Sequence, residues 1–133
     1  MNCACPTVPL ENDKPGCGLY DDRYTFHLNE FKFDMETFGD VYIHNSFAGA
    51  FPGSFQNLGD FTAPYNDQLN EQWSVVEENG EATLTVSNDS FIGFYSGVRS
   101  YKILEITDST MSLQYDHEPA SEGLHWYLKL RAL

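Results

Sequence analysis

Carboxylates are the commonest reactive groups in this chain. Asp21, Asp22, Asp34, Glu36, Asp40, Glu77, Glu78, Asp116 and Glu118 lie in or beside strand-like runs. Two carboxyls facing each other across a cleft at a fixed separation would cleave a glycosidic bond. With acids this abundant no pair stands out, so they assign no catalytic residue. Asp34 and Asp40 flank a turn and could share a structural Ca²⁺, but the spacing of an EF-hand loop is missing. His27, His44, His117 and His125 are scattered, with no His-x-x-x-His or His-x-Glu pattern to hold a metal. His44 and His125 would meet only if their strands are neighbours. The sequence has no Gly-x-Ser-x-Gly elbow, phosphate loop or dinucleotide fingerprint.

Sugar recognition asks for different groups. Flat aromatic rings stack on the apolar faces of pyranoses, while carboxylates, amides and imidazoles bond the hydroxyls. The stretch from Phe47 to Trp73 supplies both kinds, and its candidate ligand-binding residues are Phe47, Phe55, Asp60, Tyr65, Asn66 and Trp73. The same rings would also serve as cover over the open end of a core, and Trp73 as an ordinary core residue of a strand.

The sequence around these groups reads as strands. Residues 1–18 form an irregular arm, because Pro6, Pro9, Pro15, Gly16 and Gly18 exclude regular pairing. Tyr24, Phe26 and Leu28 alternate with Arg23, Thr25 and His27, and Asn29-Glu30 turns into a return strand holding Phe31 and Phe33. Thr37 to Asp40 turns again, into a strand over 41–45. Residues 46–70 are broken by Gly49, Pro52, Gly53, Gly59 and Pro64. A loop this long in a compact domain is often functional, and a short strand or helical turn could lie inside it. From Gln72 the alternation resumes around Trp73 and Val75. Asn79-Gly80 is the strongest hairpin signal in the chain. Ala82, Leu84 and Val86 follow, then strands over 90–95 and 101–107. After a turn at Asp108-Ser109, Met111, Leu113 and Tyr115 share a face. A polar loop over 116–123 precedes a last strand whose inward face is Trp126, Leu128 and Leu130.

The pattern predicts an all-β protein: an antiparallel up-and-down meander of about eight or nine strands, closed as a lipocalin-like barrel or folded as a β-sandwich. Residues 19–133 form its single domain. Ten Phe, eight Tyr and two Trp in 133 residues suit half-buried pleated surfaces. Twenty acidic against seven basic residues give a formal charge of −13. That balance disfavours nucleic acid, anionic membranes and polyanionic glycans as partners, and leaves neutral sugars, cations and basic proteins. No run approaches the roughly 18–20 apolar residues of a membrane-spanning helix, and Met1 to Cys5 lacks the features of a signal peptide. The chain is then either cytosolic or trimmed from a longer one. Cys3, Cys5 and Cys17 allow one disulfide and one free thiol, and they lack a fourth ligand for structural zinc.

Phe91-Ile92-Gly93-Phe94-Tyr95, Tyr101-Lys102-Ile103-Leu104-Glu105-Ile106-Thr107-Asp108, Met111-Ser112-Leu113 and Trp126-Tyr127 resemble the end of lipocalin-like β-domains of Bacteroidetes. Those domains accompany laminarinase-type glycoside hydrolases and surface glycan-binding proteins. Cys17-Gly18-Leu19-Tyr20-Asp21-Asp22 resembles the start of their first hairpin, and Gly39-Asp40 resembles its next turn. The matched residues are mostly turn-formers and core apolars, so they speak to fold rather than site. The Trp-rich segment that precedes this hairpin in the family is replaced here by a Cys/Pro arm. The resemblance implies a secreted or surface-displayed domain, cut from a longer multidomain chain or reduced to a stand-alone form.

The reading is therefore a non-catalytic, cofactor-free domain that binds a neutral polysaccharide or oligosaccharide, with β-glucan implied by the resemblance. The alternatives are a structural or adhesion domain of a surface or phage assembly, and a small lipocalin-like enzyme or ligand carrier.

Overall fold

The computed structural model describes residues 2–4, 18–19, 21–116 and 125–132, and for 2–4 it describes the backbone. It is all-β, with eleven strands: β1 (Asn2–Ala4), β2 (Arg23–Phe26), β3 (Lys32–Glu36), β4 (Asp40–Ile43), β5 (Phe55–Asn57), β6 (Asp60–Pro64), β7 (Gln68–Glu78), β8 (Glu81–Val86), β9 (Ser100–Ile106), β10 (Thr110–Asp116) and β11 (His125–Arg131). Seven of them form an antiparallel sheet in the order β2-β3-β7-β8-β9-β10-β11, curled until β1 bridges its two ends. β1 pairs with β11 over three residues but with β2 only at Asn2↔Arg23. The barrel is thus closed, which sets aside the sandwich. The three cysteines lie outside the described residues or show backbone alone, and their pairing with them. His117, Glu118 and most of the 116–123 loop also lie outside.

The inward rows follow the expected alternation. Ala82, Ile103, Leu113 and Leu128 stand opposite one another across four strands, and Leu84 faces Tyr101. Tyr24, Phe33, Met35, Leu84, Leu113 and Leu130 are buried, each fully buried apolar side chain contributing about 1.5–3 kcal/mol. Asn79 and Gly80 both have positive φ, 53° and 81°, as the two-residue turn joining β7 to β8 requires. The periodicity over 101–115 and 126–130 is therefore realised as expected.

Two segments differ from a plain meander. The 46–70 region holds both the helical turn and the short strands that its broken sequence allows. A 3-10 turn over Asn45–Ala50 leads into the hairpin β5–β6, whose Leu58-Gly59 tip takes φ of 55° and 100°. With β4 this hairpin makes a separate three-stranded sheet, β4-β6-β5, which accounts for strands beyond the expected number.

The second departure is 90–96, expected as a strand. It runs irregularly through the end of the barrel, and Phe91, Ile92, Phe94 and Ser96 are buried. From Ile92 to Phe94 phenols satisfy part of its polar backbone. Tyr101 Oη accepts the Ile92 N–H at 2.8 Å, Tyr24 Oη accepts the Gly93 N–H at 2.7 Å, and Tyr115 Oη donates to the Phe94 carbonyl at 2.6 Å. Buried backbone groups must find partners somewhere, and inward tyrosines on β2, β9 and β10 supply them. Tyr95 then carries the small sheet: its N–H donates to the Tyr42 carbonyl, and its carbonyl accepts the His44 N–H.

Candidate functional site

The predicted ligand-binding residues do not converge on one place. Phe47, Phe51, Tyr65, Phe91 and Tyr95 form one aromatic cluster, with centroids 4.8–5.6 Å apart for the pairs Phe91–Tyr95, Phe47–Tyr95, Phe51–Tyr65 and Tyr65–Phe91. This cluster seals the small sheet against the barrel. The Tyr65 hydroxyl donates to the Asp89 carbonyl at 2.7 Å, and burial pushes its pKa up to about 12. Asp60 is occupied with local architecture: its carboxylate accepts the Asn45 N–H, and its own N–H donates to Tyr42 Oη. Phe55 is exposed on β5, and Asn66 is exposed before β7. Trp73 lines a groove that the other five do not line.

That groove holds about 480 Å³ and is lined by Glu30, Phe31, Gln72, Trp73, Ser74, Val75, Thr85, Val86 and Ser87. It exists because β7 outruns β3. The last pair between them is Lys32↔Gln72, and from Trp73 to Glu78 β7 continues with β8 alone. A bulge opposite Phe33–Met35, where Asn70 takes φ of 59°, turns the strand at this point. Asp34 Oδ1 accepts the displaced Asn70 N–H at 2.8 Å, while Oδ2 bonds His27 Nε2 at 2.8 Å. The Asn70 N–H is the main cause holding the Asp34 carboxyl below its ordinary range.

Trp73 is fixed in place. Its indole N–H donates to the His27 carbonyl at 3.0 Å. Phe26 meets its ring edge-on at 5.8 Å and Phe31 at 5.3 Å. Phe31 projects from the turn joining β2 to β3 and is 55% exposed. Gln72, Ser74, Thr85 and Ser87 complete the lining; Thr85 Oγ1 bonds Ser100 Oγ at 2.9 Å, and Ser87 Oγ accepts the Gln72 N–H at 2.9 Å. Glu71 Oε2 accepts from Ser87 Oγ at 2.6 Å and Asn88 Nδ2 at 2.8 Å, which ties the groove floor to the next turn. Glu30 and Phe31 were not foreseen: Phe31 is expected at the start of the return strand but lies in the turn over Asn29–Phe31, and the sequence shows nothing of the gap beside it.

The other reactive groups sit elsewhere. Asp22 is fully buried, and its Oδ1 has no hydrogen-bond partner among the described residues. Burial, then the charges of Asp21 and Asp40, push its pKa up to about 10, so it is neutral at physiological pH. A raised carboxyl pKa often marks a catalytic acid, but a group closed to solvent has no route to a substrate. Asp34 and Asp40, considered above as sharing a cation, are engaged separately. Asp34 bonds Asn70 and His27, and Asp40 lies so close to Gly18 that a Cβ there would come within 2.8 Å of its Oδ1. Among the described residues no three His, Cys, Asp or Glu side chains are grouped to hold a metal. His125 bonds Asp116 at 2.6 Å, and His44 stands near Trp126, one residue along β11.

No model of a known protein family matches this chain, and no curated protein matches it.

Proposed function

We propose that this chain is a non-catalytic carbohydrate-binding domain whose ligand, a neutral polysaccharide, lies in the groove beside Trp73. The observation that carries the reading is the pairing of a fixed, part-exposed indole with an exposed Phe31 ring in a groove whose lining also holds Gln72, Ser74, Thr85 and Ser87. Aromatic faces beside polar residues suit a sugar ring, and about 480 Å³ falls within the size range of small-ligand clefts. A ring held by its own hydrogen bond loses little freedom when it stacks, which favours binding. The chain's net charge of −13 supports a neutral ligand over an anionic one. The resemblance to Bacteroidetes domains adds β-glucan as the leading candidate and a secreted or surface location, within a larger chain.

The test is affinity electrophoresis through gels containing a panel of neutral polysaccharides, β-glucans among them. Retardation of the wild type, lost in Trp73→Ala, is the expected result. Mobility unchanged by every glycan sinks the reading.

An adhesion or structural role is the second reading. It is favoured by Val76, Leu104 and Tyr127, all exposed on the outward side of the barrel. Concentration-dependent self-association, or capture of a protein partner lost on Tyr127→Ser, would support it. A carrier with its ligand inside the barrel is disfavoured, because 91–96 occupies that end of the interior.

A further inference from the structure

We propose that the turn over residues 28–31 sets what the groove accepts, with Phe31 as a second stacking ring and Glu30 as a charge filter that turns away acidic sugars. This rests on the carbohydrate reading above.

The backbone of this turn is unusual. Leu28 is right-handed helical, but Glu30 and Phe31 both take the left-handed conformation, with φ of 61° and 54°. Glycine or asparagine would sit there with less strain, and a bulky side chain there is uncommon. Strain of this kind persists where the surroundings use it. Phe31 does not recover the cost by burial, since more than half of it faces solvent. Its side-chain contact is the edge-to-face meeting with Trp73, 5.3 Å between centroids at 71°. The left-handed backbone therefore sets an exposed ring against the indole, on the border of the groove. A turn needed only to join β2 to β3 has no use for that ring.

Glu30, the other strained residue, lines the same groove and is exposed. β7 carries Glu71 two residues before Trp73. Charges within a Debye length of about 8 Å act on one another at physiological ionic strength. A uronic acid entering here meets carboxylates, while a neutral hexose finds in them acceptors for its hydroxyls. Lys32 follows Phe31 on β3 and works in the opposite sense, so the role of Glu30 is isolated by changing it alone.

The experiment uses a neutral β-glucan retained by the wild type and the same glucan oxidised at C6 to carboxylate. Affinity electrophoresis is run with Phe31→Asn, Phe31→Tyr and Glu30→Gln, alongside their melting temperatures. Phe31→Asn is expected to weaken binding to the neutral chain roughly tenfold, with a melting temperature equal to wild type or a few degrees higher as the strain is relieved. Phe31→Tyr keeps the binding. Glu30→Gln binds the oxidised glucan measurably better than wild type does. Undiminished binding by Phe31→Asn overturns the proposal, as does a loss of binding accompanied by an equal loss of stability. If Glu30→Gln gains nothing on the oxidised chain, the charge filter is wrong. If the wild type is retained by no neutral glycan, the carbohydrate reading itself fails and takes this proposal with it.

Discussion

The Tyr24 hydroxyl on β2 accepts the backbone N–H of Gly93 across the barrel interior, at 2.7 Å and 69 residues away in sequence. The phenol's own proton points toward Asp22 Oδ2, 3.4 Å away. The approach leaves no room on the other side of the glycine. A Cβ at position 93 would fall 2.1 Å from Leu128 Cδ1, and φ there is +70°. Gly93→Ala therefore meets both a collision and a disfavoured backbone. It is expected to cost roughly 2–5 kcal/mol in urea denaturation; a loss under about 0.5 kcal/mol would mean that the segment is not held this tightly.

The neighbour of that phenol gives a pH dependence of definite sign. Asp22 has an ordinary value of 3.8 and about 10 when folded. Between these limits the unfolded chain has released the proton and the folded chain still holds it. Stability from this group falls as pH rises from about 4 to about 10, and is flat beyond. Asn is the shape of a neutral Asp. Asp22→Asn should thus be more stable than wild type at neutral pH, with this slope removed. Denaturation midpoints for both proteins at several pH values between 5 and 9 check it; parallel curves would contradict it.

Asp34 acts in the opposite direction. Its folded value is lowered, first by the Asn70 N–H and then by His27. Its stabilisation is full above about 3.8 and is lost as pH falls through the folded value. Asp34→Ala should be less stable than wild type at pH 6, and the gap should close as acidification passes 3.8 and goes through the lowered folded value. A gap of constant size would remove the carboxylate from the account of the bulge.

The two aromatic groups are separable by mutation. Tyr65→Phe deletes the hydroxyl that donates to the Asp89 carbonyl and should lower stability by about 1 kcal/mol. It should leave glycan retention intact, because Tyr65 is not among the groove residues. Trp73→Ala should do the reverse in its larger effect, abolishing retention. Retention lost in Tyr65→Phe would relocate the site to the small sheet.

Much of the barrel was legible because its signals are local. Met111, Leu113 and Tyr115 alternate on a strand, and Asn79-Gly80 takes the two positive φ values that its residue types favour. Residues 91–95 misled because buried β-like composition does not say what partners the backbone. Here the partners include phenols contributed by three strands. The Leu58-Gly59 tip was hidden because leucine at positive φ carries no hairpin signature. Trp73 was visible as a candidate from its type alone. The groove beside it was not, since it arises from the difference in length between β3 and β7, a relation between strands that no single stretch records.

The closure of the barrel also bears on how the chain reaches its fold. β1 and β11 pair as Asn2↔Arg131 and Ala4↔Lys129, so the most N-terminal strand waits for the most C-terminal one. Its other neighbour offers the single pair Asn2↔Arg23. During synthesis the sheet from β2 to β10 can form as hairpins emerge, but the seam stays open until the last strand is free. Contacts of such sequence separation slow folding, and the unpaired edges of β2 and β10 are exposed for that interval, when they are open to mispairing with other chains.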